Sequence, residues 1–223
     1  HELNQPLAAM KTYLAGARLL LQRGRGEEAL SSFQRIDDLV ERMGAITRQL
    51  KSYARKGGEA FEPVDLRAAL SSALVMMEPQ LRNRTIKLQR NIPRYPVMVY
   101  CDRIRLEQIV INLLRNAVDA IKDVRDPAIE ITVSSGSHAF LSVRDNGPGV
   151  SDLENLFEPF FTTKKPGEGT GLGLAISSGI AADFGGRLTA HNASDEGGRG
   201  AVFELELPLH DPQRKTGAGM AAE

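Results

Sequence analysis

The first fifty residues repeat apolar side chains at alternating spacings of three and four, which is the period of one face of an α-helix. Two such series occur, and they run Leu3, Leu7, Met10, Leu14, Ala17 and Leu21, and then Ile36, Leu39, Met43, Ile46, Leu50 and Tyr53. Gly24 and Gly26 interrupt the pattern, so the sequence predicts two helices joined by a short turn. Because two helices alone cannot cover both apolar series, we expect the hairpin to pair with a second copy in a four-helix bundle, as a homodimer.

Beyond the hairpin the pattern changes to short strands mixed with helices. Arg55-Lys56-Gly57-Gly58 combines basic residues with two glycines, which is typical of a helix end followed by a linker. Asp65 is predicted to cap one helix, and apolar residues on one face predict a long helix from about Asp102 to Asp123. Strands are predicted at Thr85–Leu88, Val97–Cys101, Ile129–Ser134, Phe140–Arg144, Arg187–His191 and Ala201–Leu207.

These elements predict an α+β chain in three segments. Residues 1–58 form the helical hairpin, residues 59–210 form an α/β sandwich, and we expect residues 211–223 to be a disordered tail.

Composition excludes several classes of protein. The 223 residues are 42% hydrophobic and carry 28 basic and 28 acidic side chains, which is typical of a globular protein with no bulk attraction to nucleic acid or anionic membrane. The single Cys101 cannot form an internal disulfide, and one cysteine with four scattered histidines does not make a zinc site. No apolar run approaches the roughly 18 residues that span a bilayer. Because the chain begins at His1 and not at Met, we expect it to be part of a longer protein.

Two asparagines on the predicted long helix are the first candidates for chemistry. Asn112 and Asn116 lie four residues apart, so their amides lie on one side, opposite the apolar face. Within the helix they have no structural role, and two asparagines alone are typical of a solvated polar face.

Two glycine-rich segments make a functional role for the two asparagines more plausible than a solvated polar face. Asp145-Asn146-Gly147-Pro148-Gly149 follows a predicted strand; it is a turn in the simpler interpretation, but its aspartate could also accept a hydrogen bond from an exocyclic amine such as that of adenine. Gly169-Thr170-Gly171-Leu172-Gly173 leads directly into a predicted helix, whose N-terminus could hold a phosphate. It is neither a Walker loop nor a dinucleotide-binding fingerprint.

A segment of about twenty residues between these clusters lacks a regular pattern. It contains adjacent aromatic residues and the pair Lys164-Lys165, and we interpret it as a lid over a nucleotide. Either lysine could reach a phosphate, and a solvated charge is at least as good an interpretation for each.

In this order the motifs resemble those of sensor histidine kinases. Gln108–Ile121 resembles the family's asparagine box, Asp145–Gly149 its first glycine box, Phe157–Lys164 its F box and Gly169–Gly173 its second glycine box. The opening His1-Glu2-Leu3-Asn4-Gln5-Pro6-Leu7 resembles the phosphoacceptor box, in the form found in sensors for dicarboxylate transport and oxygen-regulated nitrogen fixation.

The resemblance implies an ATP-binding domain of the Bergerat type after a dimerisation and phosphotransfer hairpin. Asn116 would hold Mg²⁺ with Asn112 in the same site, Asp145 would bind the adenine amine, and the glycines would shape the base pocket and cradle the phosphates. The implied nucleotide-binding residues are Asn112, Asn116, Asp145, Gly147, Gly149, Phe157, Phe160, Thr163, Lys164, Gly169, Thr170, Gly171, Leu172 and Gly173.

The resemblance also implies the reaction. His1 would take the γ-phosphoryl group of ATP, Glu2 would assist removal of its proton, and the phosphoryl group would pass to an aspartate on the receiver domain of a response regulator. Gln5, four residues after His1, would serve a phosphatase activity toward that regulator. Related ATPases carry a glutamate where this chain has Asn112, and an amide cannot act as a general base.

By the same resemblance this would be the cytoplasmic portion of a bacterial sensor anchored in the inner membrane. We expect no contact of this portion with membrane or nucleic acid. Three alternatives are a conformational ATPase, a serine kinase of the anti-sigma type and a non-enzymatic dimerisation scaffold; the histidine box and the intact nucleotide motifs disfavour them.

Overall fold

The computed structural model describes residues 4–37, 39–40, 61–82, 86–164, 171–193 and 199–210. The chain divides into two compact units, residues 1–56 and 57–223. No helix among the described residues combines the length and the apolar character needed to cross a membrane.

The first unit is a helical hairpin, as the sequence predicts. Helix α1 covers Asn4–Gln22, and α2 covers residues 26–37 and 39–40. Gly24 ends α1 with a φ of +74°, while its N–H donates to Leu21 O (3.0 Å) and the N–H of Arg25 donates to Leu20 O (2.9 Å). This pair of bonds is a Schellman motif, in which glycine adopts the left-handed conformation without a steric penalty.

Contacts within the hairpin leave part of the apolar series uncovered. Tyr13 Oη accepts a hydrogen bond from Arg35 Nη1 (3.2 Å), so the two helices are in contact. Leu7, Leu14 and Leu21 of the first series nevertheless remain about half exposed, at 49%, 51% and 53%. The second series lies outside the described residues from Met43 onward.

The described part of the second unit contains two sheets and three helices. A two-stranded antiparallel sheet pairs β1 with β3, and a five-stranded sheet has the order β2-β4-β5-β7-β6, in which β2 runs parallel to β4 and the other pairs are antiparallel. The strands are β1 Phe61–Asp65, β2 Lys87–Asn91, β3 Met98–Asp102, β4 Ala128–Ser135, β5 His138–Asp145, β6 Arg187–Asn192 and β7 Ala201–Pro208. The helices are α3 Leu66–Arg82, α4 Arg103–Ala120 and α5 Gly173–Asp183.

The core lies between the helices and one face of the large sheet. On β5 every second side chain is buried, beginning at Ala139 and continuing through Leu141 and Val143 to Asp145. Helix α4 buries one apolar face and packs against α3, α5 and β5. The alternation of β5 therefore carries a carboxylate into the buried layer next to α4.

The predicted α+β fold class is confirmed, and most elements lie within a few residues of their predicted bounds. Asp65 accepts the N–H of Arg67 at the start of α3 (3.1 Å), as the predicted cap requires. Helix α4 ends at Ala120 instead of Asp123, and the predicted strand Thr85–Leu88 is β2 at Lys87–Asn91.

Strand β1 was not predicted, because Glu62 and Pro63 obscure its pattern. Proline is tolerated there because β1 pairs on one side only, with β3. The predicted tail, residues 211–223, lies outside the described residues.

Candidate nucleotide-binding site

Asp145 is the buried acid at the centre of the candidate site. It ends β5 and is 2% exposed. Its Oδ1 accepts hydrogen bonds from the backbone N–H groups of Gly147 (2.8 Å) and Ala201 (3.3 Å). Burial raises the pKa of the Asp145 carboxyl above its ordinary value, although the two backbone bonds act in the opposite direction. A carboxylate held in this way is suited to accepting a hydrogen bond from one specific donor on a ligand.

The two glycines that follow are required by the space around them. A Cβ at Gly147 would lie 2.8 Å from Ala120 O and 2.9 Å from Asp145 Oδ1. Gly149 has a φ of +85°, and a Cβ there would lie 2.7 Å from Asn192 Oδ1. The first glycine cluster is therefore a turn folded tightly between the end of α4 and the end of β6.

Asn112 links helix α4, called here the asparagine helix, to the second glycine cluster, Gly169–Gly173. Its Nδ2 donates to Gly173 O (3.2 Å) and to Ser177 Oγ (3.1 Å), which is fully buried on α5. The expectation that Asn112 has no structural role is therefore wrong, because this amide joins α4 to α5. Asn116 lies one turn later and is partly exposed, and its side-chain amide has no hydrogen bond to another described residue.

The second glycine cluster is held against the segment before it. The N–H of Phe160 donates to Gly171 O (3.0 Å), and both residues are left-handed, with φ of +70° and +65°. A Cβ on Gly171 would collide with the Phe160 backbone, whereas one on Gly173 would meet only ordinary contacts near Asn112. Of these two predicted glycines, only Gly171 is fixed by its conformation and surroundings.

Helix α5 begins at Gly173, directly after the second glycine cluster. Leu172 occupies the capping position and is buried, and within the described ranges no side-chain hydrogen bond caps the helix. An N-terminus without such a cap is a suitable place for an anion. Gly169 and Thr170 lie outside the described residues.

The predicted lid has no helix or strand in its described part, residues 151–164. Phe157 is half-buried, whereas Phe160 is 46% exposed and Thr163 is exposed. The Lys164 ammonium forms an ion pair with Asp119, three residues beyond Asn116 on α4. This residue therefore lies beside the asparagine helix, with its charge paired to a carboxylate.

Two further asparagines support the site and were not predicted to do so. Asn146 Oδ1 accepts the N–H of Ala128 (2.9 Å) and its Nδ2 donates to Asp126 O (2.8 Å), which fixes the start of β4. Asn192 makes a similar pair of bonds to the backbone of Val150. Asn146 lies inside a recognised motif, but Asn192 carries no local signal in the sequence.

The predicted phosphotransfer residues are at the other end of the chain. His1 and Glu2 lie outside the described residues, and of Gln5 the structure describes only a helical backbone at the start of α1. Their roles stay predictions.

Comparison with known proteins defines the family. Residues 101–211 match the family described as histidine kinase-, DNA gyrase B-, and HSP90-like ATPase. The chain is 43% identical over 211 residues to the C4-dicarboxylate transport sensor protein DctB of Pseudomonas aeruginosa, which covers 93% of this chain and 34% of that protein. The catalytic domain of histidine kinase ThkA is 31% identical with a TM-score of 0.59, covering 67% of this chain and 98% of that one.

A second solved structure shares the fold over more of the chain. Histidine kinase ThkA in complex with response regulator protein TrrA has a TM-score of 0.71 at 23% identity and covers 96% of this chain and 60% of that one. The chain belongs to the sensor histidine kinases, and the predicted resemblance to the dicarboxylate-transport type is confirmed. It spans about a third of the length of its curated relative DctB, 34%.

Proposed function

We propose that this chain binds ATP in its second unit, transfers the γ-phosphoryl group to His1, and passes it to an aspartate on the receiver domain of a response regulator. The observation that carries the proposal is the hydrogen bond from Asn112 to Gly173, which joins the asparagine helix to the glycine cluster. Asp145 ends β5, and β5 packs against the same helix.

The base end of the site is built around Asp145. Its buried carboxylate accepts the exocyclic amine of adenine, and the backbone of Gly147 and Gly149 lines the pocket without side chains. The phosphates lie toward the N-terminus of α5, where the main-chain dipole favours negative charge. The lid residues around Phe160 and Lys164 close over them.

The asparagines fit a magnesium ion held jointly with phosphate. Mg²⁺ binds hard oxygen atoms and is commonly completed by substrate phosphates. Asn116 has an amide without a partner among the described residues, and both hydrogen bonds of Asn112 use Nδ2, so its Oδ1 is not committed by them. Within the described ranges no group of three or more His, Cys, Asp or Glu side chains is placed to hold a metal ion. When bound, Mg²⁺ supplies neutralisation of charge on the β- and γ-phosphates.

The chemistry at Asn112 favours transfer to a histidine over hydrolysis. An amide cannot take a proton from water, and the NH₂ group of this amide already donates to Gly173 and Ser177. The neutral imidazole of His1 attacks the γ-phosphorus, the bond to the β-phosphate oxygen breaks, and ADP leaves. Glu2 receives the imidazole proton. In the separate phosphatase activity, Gln5 orients a water molecule that hydrolyses the phosphoryl-aspartate of the regulator and releases inorganic phosphate.

The hairpin supports a proposal for the oligomeric state of the chain, and the family supports one for its cellular location. Leu7, Leu14 and Leu21 leave an apolar face half exposed on α1, which supports pairing with a second copy in a four-helix bundle. As the kinase portion of a sensor, the chain acts on the cytoplasmic side of a bacterial inner membrane in which the longer protein is anchored.

Calorimetric titration with a non-hydrolysable ATP analogue tests the metal-dependent part of the site. Asn116→Ala should remove most of the gain in affinity that Mg²⁺ gives the wild-type chain, because the amide oxygen no longer contacts the ion. Asn91→Ala is the matched control, since Asn91 is exposed on β2 and its Nδ2 donates to Glu130. An Asn116→Ala chain whose affinity still rises with Mg²⁺ as in wild type would contradict the assignment.

A further inference from the structure

Asn192 is the last residue of β6, where it pairs with Ala201 at the start of β7. Its Oδ1 accepts the N–H of Val150 (2.7 Å), and its Nδ2 donates to the carbonyl oxygen of Val150 (2.8 Å). Both polar atoms of one side chain therefore bind both polar atoms of one backbone residue. Such a pair fixes the position and the orientation of that residue more firmly than either bond alone.

The same side chain determines the space next to Gly149. Gly149 precedes Val150 and has a φ of +85°, a conformation that residues with a side chain rarely adopt. Asn192 Oδ1 lies 2.7 Å from the place where a Cβ of Gly149 would be. The left-handed turn and the asparagine thus fit each other.

The start of β7 holds the opposite end of the same turn. The Ala201 N–H donates to Asp145 Oδ1 (3.3 Å), and a Cβ on Gly200 would collide with the Asp145 carbonyl oxygen. The paired ends of β6 and β7 therefore hold the turn at Asp145 and at Val150. The turn between Asp145 and Val150 is therefore held by Asn192 and Ala201, in hydrogen bonds that span 42 and 56 positions of the chain.

We propose that Asn192 is a positioning residue for the base end of the nucleotide site. It acts through Gly149 and Val150, keeping the turn in the shape that lets Asp145 meet an exocyclic amine. This inference rests on the proposed function. Loss of Asn192 should therefore reduce discrimination between adenine and a base that lacks the amine, and not only reduce stability.

The test compares ADP with inosine diphosphate, which carries a carbonyl in place of the amine. Calorimetry on the full chain should show that wild type prefers ADP, and that Asn192→Ala loses about tenfold of that preference, with ADP binding weakened and inosine diphosphate binding little changed. Asn192→Asp keeps the size and the acceptor but places an oxygen against the Val150 carbonyl, so it should give the same loss. Asn91→Ala should behave as wild type.

Three outcomes separate the possibilities. Reduced discrimination in both Asn192 variants supports the inference, and Asn192→Asp carries the test if Asn192→Ala does not fold. Equal weakening of both nucleotides, or an unchanged ratio, overturns it, since a purely structural role lowers stability without changing base selectivity. Those results would leave the proposed function intact. A wild-type chain that binds neither nucleotide would contradict the proposed function itself.

Discussion

Replacing Asp145 with asparagine should weaken nucleotide binding and, at the same time, remove a loss of folding stability that grows with pH. The substitution keeps the size of the side chain and an oxygen that can accept the backbone N–H groups of Gly147 and Ala201, now 2.8 Å and 3.3 Å from Oδ1. What it removes is the negative charge, and what it adds is an NH₂ group in place of Oδ2. The two effects therefore act on different equilibria.

The expected loss of binding rests on the hydrogen bond to Asp145 that the proposed function assigns to the adenine amine. A hydrogen bond to a charged group contributes about 1.5–3 kcal/mol, so its removal should weaken ADP binding by about 10- to 150-fold. The asparagine NH₂ would face the amine, donor against donor, which favours the upper part of that range. A base with a carbonyl at this position should lose much less.

The change in the pH dependence of stability follows from the direction of the Asp145 pKa shift. Burial raises the pKa of Asp145 in the folded chain, so the unfolded chain loses its proton more readily. A group of this kind contributes its full stability below its unfolded pKa and loses that contribution as the pH rises through its folded pKa. An asparagine at this position does not titrate, so its contribution to stability does not fall as the pH rises.

Thermal unfolding between pH 4 and pH 8, together with calorimetry using ADP, measures both effects. The melting temperature of Asp145→Asn, relative to that of wild type, should rise as the pH increases from 4 to 8, while its ADP affinity is lower than that of wild type. Asp123→Asn, at an exposed position just beyond α4, removes one charge without either effect. The reasoning is refuted if Asp145→Asn binds ADP as well as wild type, or if its melting temperature falls relative to wild type as the pH rises.

Three further predictions concern other parts of the second unit. Gly171→Ala places a side chain in a left-handed residue against the Phe160 backbone, so urea denaturation should show a loss of at least about 1–2 kcal/mol; unchanged stability would contradict the contact. Asn112→Ala leaves the buried Ser177 hydroxyl without its donor and should cost about 1–3 kcal/mol in the same assay, whereas a neutral effect would argue against the α4–α5 link. Burial raises the pKa of the Cys101 thiol to about 12, helped by nearby acidic side chains, so a thiol reagent at pH 8 should label the folded chain far more slowly than the unfolded one; equal rates would contradict its burial.

The elements with a strong local period were predictable from the sequence. Helix α4 carries its apolar residues on one face, and β5 alternates along its whole length, so both were found close to their observed bounds. β1 was missed because it is short, paired on one side and contains Pro63. Its existence depends on a partner strand more than thirty residues away.

The candidate site shows the same division. Asp145 and Gly149 belong to one contiguous motif of five residues, from which both a tight turn and a hydrogen-bond acceptor could be predicted. The hydrogen bonds of Asn112 to α5 and of Asn192 to Val150 join residues 61 and 42 positions apart, and no local pattern records them. The structural roles of these two amides depend on contacts between distant parts of the chain, so they could be found only from the structure.

Transfer of label from γ-labelled ATP tests the central claim most directly. The chain should acquire an acid-labile label in the presence of Mg²⁺, as expected of a phosphohistidine, and both His1→Gln and Asn116→Ala should abolish it. Free phosphate without labelled chain would indicate a conformational ATPase, and acid-stable label on an added protein would indicate a serine kinase. Label that persists in His1→Gln would contradict the proposed phosphoacceptor.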